Sequence, residues 1–305
     1  MRKYWPTILI FILFISLLGY VIYTWGYKPS SPSNTQKIFD ISQDQVSSVE
    51  VKTPESKYEV KKEDKHYSLF IPEEVGSYES YLEGIVTGAT GISYQMIISE
   101  NEQNLAQFGL DNPSNIVTIN LKDGSKKVLQ IGKGTPTQDG FYVKEEGKNI
   151  IYKVDASTAG TLQKNINDII NKNVLAIFNT TDSNKIVLTV NGQAKTFDKK
   201  NNNWFVDGKQ LNADKITQLT DTIKKLEVDG MSNKADYVDA NSTPFIRLQV
   251  YQDASEFMDL SLIERDSSAY NVVMKNFPVQ YYISKDNFNT KKDDLIKIYN
   301  EAMSQ

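Results

Sequence analysis

Hydrophobic positions follow two regimes along this chain: one unbroken block near the start, and short alternating runs after it. The block runs from Thr7 to Trp25, and no charged residue occurs between Tyr4 and Tyr27. Wound as an α-helix at ~1.5 Å per residue, it spans roughly 28 Å, close to the ~30 Å hydrocarbon core of a bilayer. Tyr4 and Trp5 stand at one end and Tyr23, Trp25 and Tyr27 at the other, the aromatic pattern of a membrane-spanning helix. Arg2 and Lys3 precede the block, which predicts a cytoplasmic N-terminus with everything after the helix outside the cell. A cleaved signal peptide would have a shorter apolar core followed by a small-residue cleavage site, and neither is present. Residues 1–27 therefore read as a single-pass anchor in the cell membrane, its helix at about 7–25 in contact with the lipid bilayer.

Residues 28–37, Lys28-Pro-Ser-Ser-Pro-Ser-Asn-Thr-Gln-Lys37, carry no apolar side chain apart from the prolines and read as an extended, solvated linker. From Ile38 the pattern can be followed twice. Ile38-Phe39-Asp40 opens one pass and Ile177-Phe178-Asn179 the other. Each opening leads to a β-type run, Val49–Val51 or Ile186–Val190, and then to two strands around a Lys-Lys turn. Tyr67 and Trp204 fall early in the two return strands. A helix is predicted next in each pass. In the first, Pro72 suits the opening position, Glu73 and Glu74 suit the positive end of the dipole, and Val75, Tyr78, Leu82, Ile85 and Ala89 make an apolar stripe. In the second, Asn212 caps a stripe of Ile216, Leu219, Ile223 and Leu226.

The remainder of each pass reads as a meander. Ile116–Leu121, the Asp123-Gly124 turn and Lys127–Ile131 form a hairpin, matched by Phe245–Tyr251, a turn near Asp253 and Phe257–Ile263. Phe141–Val143 and Ile150–Tyr152 are answered by Tyr270–Met274 and Tyr281–Ile283. Apolar and polar residues alternate in these runs, as in antiparallel sheets with one buried face. The predicted fold is α+β: one N-terminal transmembrane helix, then two tandem, similar modules of antiparallel sheet plus one amphipathic helix each. The modules are placed at 38–165 and 166–305.

Composition narrows the chemistry. The 305 residues carry a formal net charge of −4, and arginine occurs only as Arg2, Arg247 and Arg265. No basic cluster stands out, so nucleic acid is not an expected partner. With no cysteine and a single histidine, His66, the chain lacks the residues for disulfides, ordinary zinc sites and Ser-His-Asp or Cys-His catalysis. Gly132-Lys133-Gly134-Thr135 lacks the spacing of a phosphate loop and precedes a strand, so it reads as a hairpin connection. Asn179-Thr-Thr181 and Asn241-Ser-Thr243 are formal glycosylation acceptors that read as coincidental. Paired carboxylates are the enzymatic option left open, with Glu73-Glu74 and Asp293-Asp294 the obvious neighbours. No catalytic, cofactor-binding or metal-binding residue is assigned, no cofactor is expected, and the chain is not expected to be an enzyme.

One order of motifs is more specific. Phe108-Gly-Leu-Asp-Asn-Pro113 is followed by a strand, Leu121-Lys-Asp-Gly124, Leu129-Gln-Ile-Gly132, Gly140-Phe-Tyr-Val143 and Ile151-Tyr152. This run resembles the bacterial family called domain of unknown function 4340. The second pass departs from it, with Ile263-Glu264 in place of the Ile-Gly pair. The resemblance implies an auxiliary protein of a gliding-motility-type ABC transport system, held by one N-terminal helix, with a transporter permease or other membrane subunit as neighbour. It implies no catalytic residues. The expected function is a membrane-anchored extracytoplasmic auxiliary or interaction protein. A surface module binding a ligand or envelope polymer, and a carboxylate-based hydrolase, are the alternatives.

Overall fold

A computed structural model describes residues 13–20, 36–71, 73–173, 183–253 and 255–301. Of the expected anchor only residues 13–20 are described, as a helix (α1); the rest of it, Pro72 and the Ile177–Asn179 opening lie outside the described residues. Among the described residues no helix is long and apolar enough to cross a membrane.

The chain is α+β with two large antiparallel sheets. The first sheet contains β1 (Gln36–Lys37), β2 (Val46–Lys52), β3 (Lys57–Glu63), β4 (His66–Ile71), β5 (Glu73–Val75), β6 (Ser93–Ser99), β7 (Asn115–Leu121), β8 (Lys126–Gly134), β9 (Gly140–Glu145) and β10 (Ile151–Asp155). Helices α2 (Glu79–Thr90), α3 (Ala156–Thr161) and α4 (Ile166–Ile169) accompany it. The second sheet contains β11 (Lys185–Val190), β12 (Gln193–Lys200), β13 (Asn203–Val206), β14 (Lys209–Gln210), β15 (Gly230–Met231), β16 (Ile246–Gln252), β17 (Ser255–Glu264), β18 (Ala269–Met274) and β19 (Tyr281–Ser284). Helices α5 (Ala213–Lys224) and α6 (Lys285–Glu301) belong to this half.

The strand order is the same in both. The first sheet runs β1-β6-β10-β9-β8-β7-β2-β3-β4-β5, and the second, read from its β15 edge, runs β15-β19-β18-β17-β16-β11-β12-β13-β14. Each second-sheet strand thus has a counterpart at the same place in the first; only β1 is extra. The hairpin registers agree as well. Lys62 faces Tyr67, and Lys199 faces Trp204, one pair in from the turn in each case.

Burial follows the alternation. Along β11, Ile186, Leu188 and Val190 are buried while the residues between them are half-exposed, and β2 and β7 bury Val49, Val51, Val117 and Ile119. Helix α2 lays Leu82, Ile85, Val86 and Ala89 on the first sheet. In the second half α5 buries Ile216 and Leu219, with the Asn212 side chain accepting the Asp214 N–H at 2.8 Å as its cap. Helix α6 buries Phe288, Leu295, Ile298 and Tyr299, and an ion pair from Lys215 to Glu301 ties it to α5.

Three expectations are corrected. Glu73 and Glu74 do not open α2; they form the edge strand β5 on β4, and α2 begins at Glu79 with Tyr78 before it. The linker ends earlier than Lys37, because Gln36 and Lys37 already pair with β6 as β1. The halves do not hold one helix each, since α3 and α4 join α2, and α6 is the longest helix after residue 36.

The halves meet at a short joint. Asn167 in α4 accepts the backbone N–H of Met231 in β15 at 2.8 Å, and the Val228 N–H donates to the Lys172 carbonyl at 2.8 Å. Gly230 makes this approach possible, because a Cβ there would lie 2.7 Å from Asn167 Cγ. Ile170 bridges to Ser77, so the connecting chain is pinned to the first half too.

Candidate functional site

The residue types that carry chemistry are dispersed. His66 begins β4 in solvent, with Nδ1 at 3.4 Å from a Glu79 carboxylate oxygen. Glu73, Glu74, Asp293 and Asp294 are all exposed, on opposite halves of the molecule. Among the described residues no group of three or more His, Asp or Glu side chains is placed to hold a metal ion. Several carboxylates are perturbed, and each in the direction that keeps it ionised. Asp139 is held well below the usual range by hydrogen bonds from Lys153, Thr137 and Thr135, and Asp266 by Ser268 and Arg265. Neither is poised to give or take a proton near neutrality. Burial raises the phenols of Tyr58 and Tyr281, the latter to about 12, and the Tyr58 hydroxyl donates to the Lys164 carbonyl at 3.0 Å.

The Gly132–Thr135 segment ends β8 and enters a turn. Gly132 is required by packing: a Cβ would sit 2.2 Å from the Phe108 carbonyl oxygen and 2.9 Å from Leu110. The preceding Phe108-Gly-Leu segment therefore lies directly over the strand. Phe108 and Leu110 form a small core of their own with Ile151.

Three concavities of several hundred Å³ indent the described surface. A cleft of about 610 Å³ lies between the halves, lined by Glu55, Lys57, Asn165, Tyr237, Arg265 and Tyr282 among others. Much of its polar lining is already engaged: Asn165 donates to Glu55 at 2.8 Å and accepts from Thr53 at 2.6 Å, and Arg265 pairs with Asp266 at 2.6 Å. A groove of about 540 Å³ beside Trp204 has that residue as its lone aromatic, and the indole is itself buried in the core. The third, about 830 Å³, surrounds the bidentate pair Arg247–Asp259, at 2.8 and 2.5 Å. Beside it a buried network of Ser232, Asn271 and Gln280 fastens the 232–238 loop onto the sheet.

The feature that stands apart is an edge. Strand β6 pairs with β10 along one side; on the other, β1 covers only Ser93 and Tyr94, and the Tyr94 hydroxyl donates to the Gln36 side chain. Beyond Tyr94 no other described residue pairs with that side. Met96, Ile97 and Ile98 are 52%, 40% and 37% exposed although they are consecutive, in a strand whose register against β10 shifts at Gln95 and Ile98. No charge occurs from Ser93 to Ser99. Other edges are guarded: β5 by exposed Glu73 and Glu74, β14 by exposed Lys209 and Gln210, and β15 by the contact with α4. An apolar, uncharged, open edge is a surface suited to protein contact. The sequence reading left this segment unassigned; its signal was the charge-free run Tyr94–Ser99, in which apolar residues stand together instead of alternating.

Comparison with known proteins gives one match. A family model described as "Domain of unknown function (DUF4340)" matches residues 72–243, from the start of β5 through α2, β6, the joint and β15. No curated protein and no solved structure matches the chain.

Proposed function

The chain belongs to the family described as domain of unknown function DUF4340, and on that footing we propose that it is a membrane-anchored, extracytoplasmic interaction protein. The anchor is the apolar block Thr7–Trp25, with Arg2 and Lys3 on the cytoplasmic side. The region outside is two tandem modules, 38–165 and 166–305, a division supported by the strand order that both sheets share. The observation that carries the interaction role is the open β6 edge with exposed Met96, Ile97 and Ile98.

Confinement to a bilayer raises the effective concentration of such a surface near other membrane proteins, so modest contacts become populated. The resemblance to auxiliary proteins of ABC-type transport systems makes a transporter permease the expected neighbour, reached through the anchor helix or the membrane-facing end of the first module. Protease added to intact protoplasts should degrade the region beyond Lys28; a mature chain released into the medium would contradict the topology. Gentle solubilisation and recovery of the full chain should bring transporter subunits with it. Recovery of the chain alone, where a known transporter complex survives, would count against the proposal. The polar inter-half cleft with Tyr237, Arg265 and Tyr282 favours the second reading, a ligand-binding surface module. Saturable retention of envelope polymer, lost in Arg265→Ala, would support it.

A further inference from the structure

We propose that the open edge of β6 is the site at which two copies of this chain pair, antiparallel, to join their first sheets about a two-fold axis. The inference rests on the interaction reading above and names the partner at that same site. Three observations favour a second copy. First, the edge is self-complementary. With β1 occupying Ser93 and Tyr94, the stretch that no described residue pairs on this side is Gln95–Ser99, and its midpoint is Ile97. Antiparallel pairing about that midpoint sets Ile97 against Ile97, with Met96 beside Ile98 and Gln95 beside Ser99, the register shifts that β6 has against β10 at Gln95 and Ile98 falling on either side of the axis. Every exposed apolar side chain then meets another across the strands. No like charges oppose one another within the stretch, because it carries none.

Second, charges complement at the ends. Exposed Lys37 lies beside Ser93, and exposed Glu100 follows Ser99. Antiparallel pairing carries the Glu100 end of each copy toward the Lys37 end of the other. Third, the tether leaves from the neighbouring strand: the chain upstream of Gln36 leads to the apolar block Thr7–Trp25, so two copies anchored in one membrane present this edge from the same side of it. A two-fold, isologous contact uses the same patch on both partners and closes on itself, which satisfies the edge without open-ended growth.

The absence of cysteine makes the test direct. Full-length Ile97→Cys, in native membranes and under mild oxidation, should form a reductant-sensitive dimer of twice 34.6 kDa. Its yield should exceed that of Glu73→Cys, on the guarded β5 edge, by roughly tenfold or more, the gain expected when a collision becomes an intramolecular contact. Mixed Met96→Cys and Ile98→Cys chains should crosslink to each other more than either does to itself, which reads the register even if Ile97→Cys misfolds. Adding Met96→Lys should return the Ile97→Cys yield to the Glu73→Cys level. Equal yields from Ile97→Cys and Glu73→Cys would overturn the proposal. So would crosslinking of Ile97→Cys solely to a protein of different mass, or burial of a label at that position in lipid without dimer; the first of these leaves the interaction reading standing. The co-purification above tests that reading separately.

Discussion

Strands β6 and β15 occupy the same place in the two strand orders and have opposite fates. β6 is seven residues long, and its Met96–Ile98 stretch faces solvent; β15 is two residues, Gly230 and Met231, closed off by Asn167. The difference lies in what surrounds each edge. In the second half the edge is turned inward, where a short strand and a glycine let α4 approach. In the first, nothing in the described chain beyond β1 covers it, and no charge or proline guards it; the irregularities are register shifts against β10 at Gln95 and Ile98. Edges that nature leaves uncharged and uncovered are rare, because they template association. The same strand order therefore supplies a joint in one half and a docking edge in the other.

A second pair sharpens the contrast. Gly132 closes the Ile-Gly pair of the first half, while Glu264 follows Ile263 in the second and pairs with Lys285 in solvent. Gly132→Ala should be the most damaging single change considered, because its Cβ would press on a backbone carbonyl; a loss of about 3 kcal/mol in urea unfolding is expected. Glu264→Ala should cost less than about 1 kcal/mol, as befits an exposed ion pair. Equal costs would break the comparison.

At the joint, Asn167→Ala leaves the Met231 N–H without its acceptor and should cost about 1–2 kcal/mol. The matching change on the open edge, Met96→Lys, should leave unfolding within about 0.5 kcal/mol while abolishing self-association. A large loss of stability in Met96→Lys would show that the edge is covered within the chain itself. The smallest expected effect is acid-dependent. Asp139 is held below its ordinary pKa by Lys153, Thr137 and Thr135, so its contribution is present above the unfolded-state value and is lost as pH falls through the folded one. Asp139→Asn should therefore be less stable than the parent at neutral pH, and the gap should begin to narrow below ~4 and go on narrowing as the acid strengthens. A gap that does not narrow there would assign the effect to packing.

Period and turn chemistry made most of the sheets legible. Alternation marked β2, β7, β11 and β16; Asp123-Gly124 marked one hairpin and the polar stretches 61–65 and 199–203 two more, although their Lys-Lys pairs lie in β3 and β12 and the turns are Asp64-Lys65 and Asn201-Asn202; Asn212 marked the start of α5. Other elements were hidden for physical reasons. Glu73 and Glu74 suit a helix start and an edge strand equally, and pairing with β4 decided between them. β6 has no alternation because its register against β10 shifts at Gln95 and Ile98 and most of it is exposed, so the signal that finds a half-buried strand is missing. α6 spreads Phe288, Leu295, Ile298 and Tyr299 among eleven charged or amide residues, too sparse a stripe to stand out. β14 and β15 are two residues each, below any periodicity. The motif glycines were visible as a pattern, but the reason for Gly132, the carbonyl lying over it, required the fold.

Amide hydrogen exchange on the full-length protein would test most directly whether the β6 edge is where this molecule meets a partner. The account predicts that the amides of Gln95–Ser99 that point away from β10 exchange rapidly in dilute detergent and become protected in membranes, while Met231 in β15 is protected in both. Equal exchange of those amides under the two conditions, whether fast or slow, would contradict it.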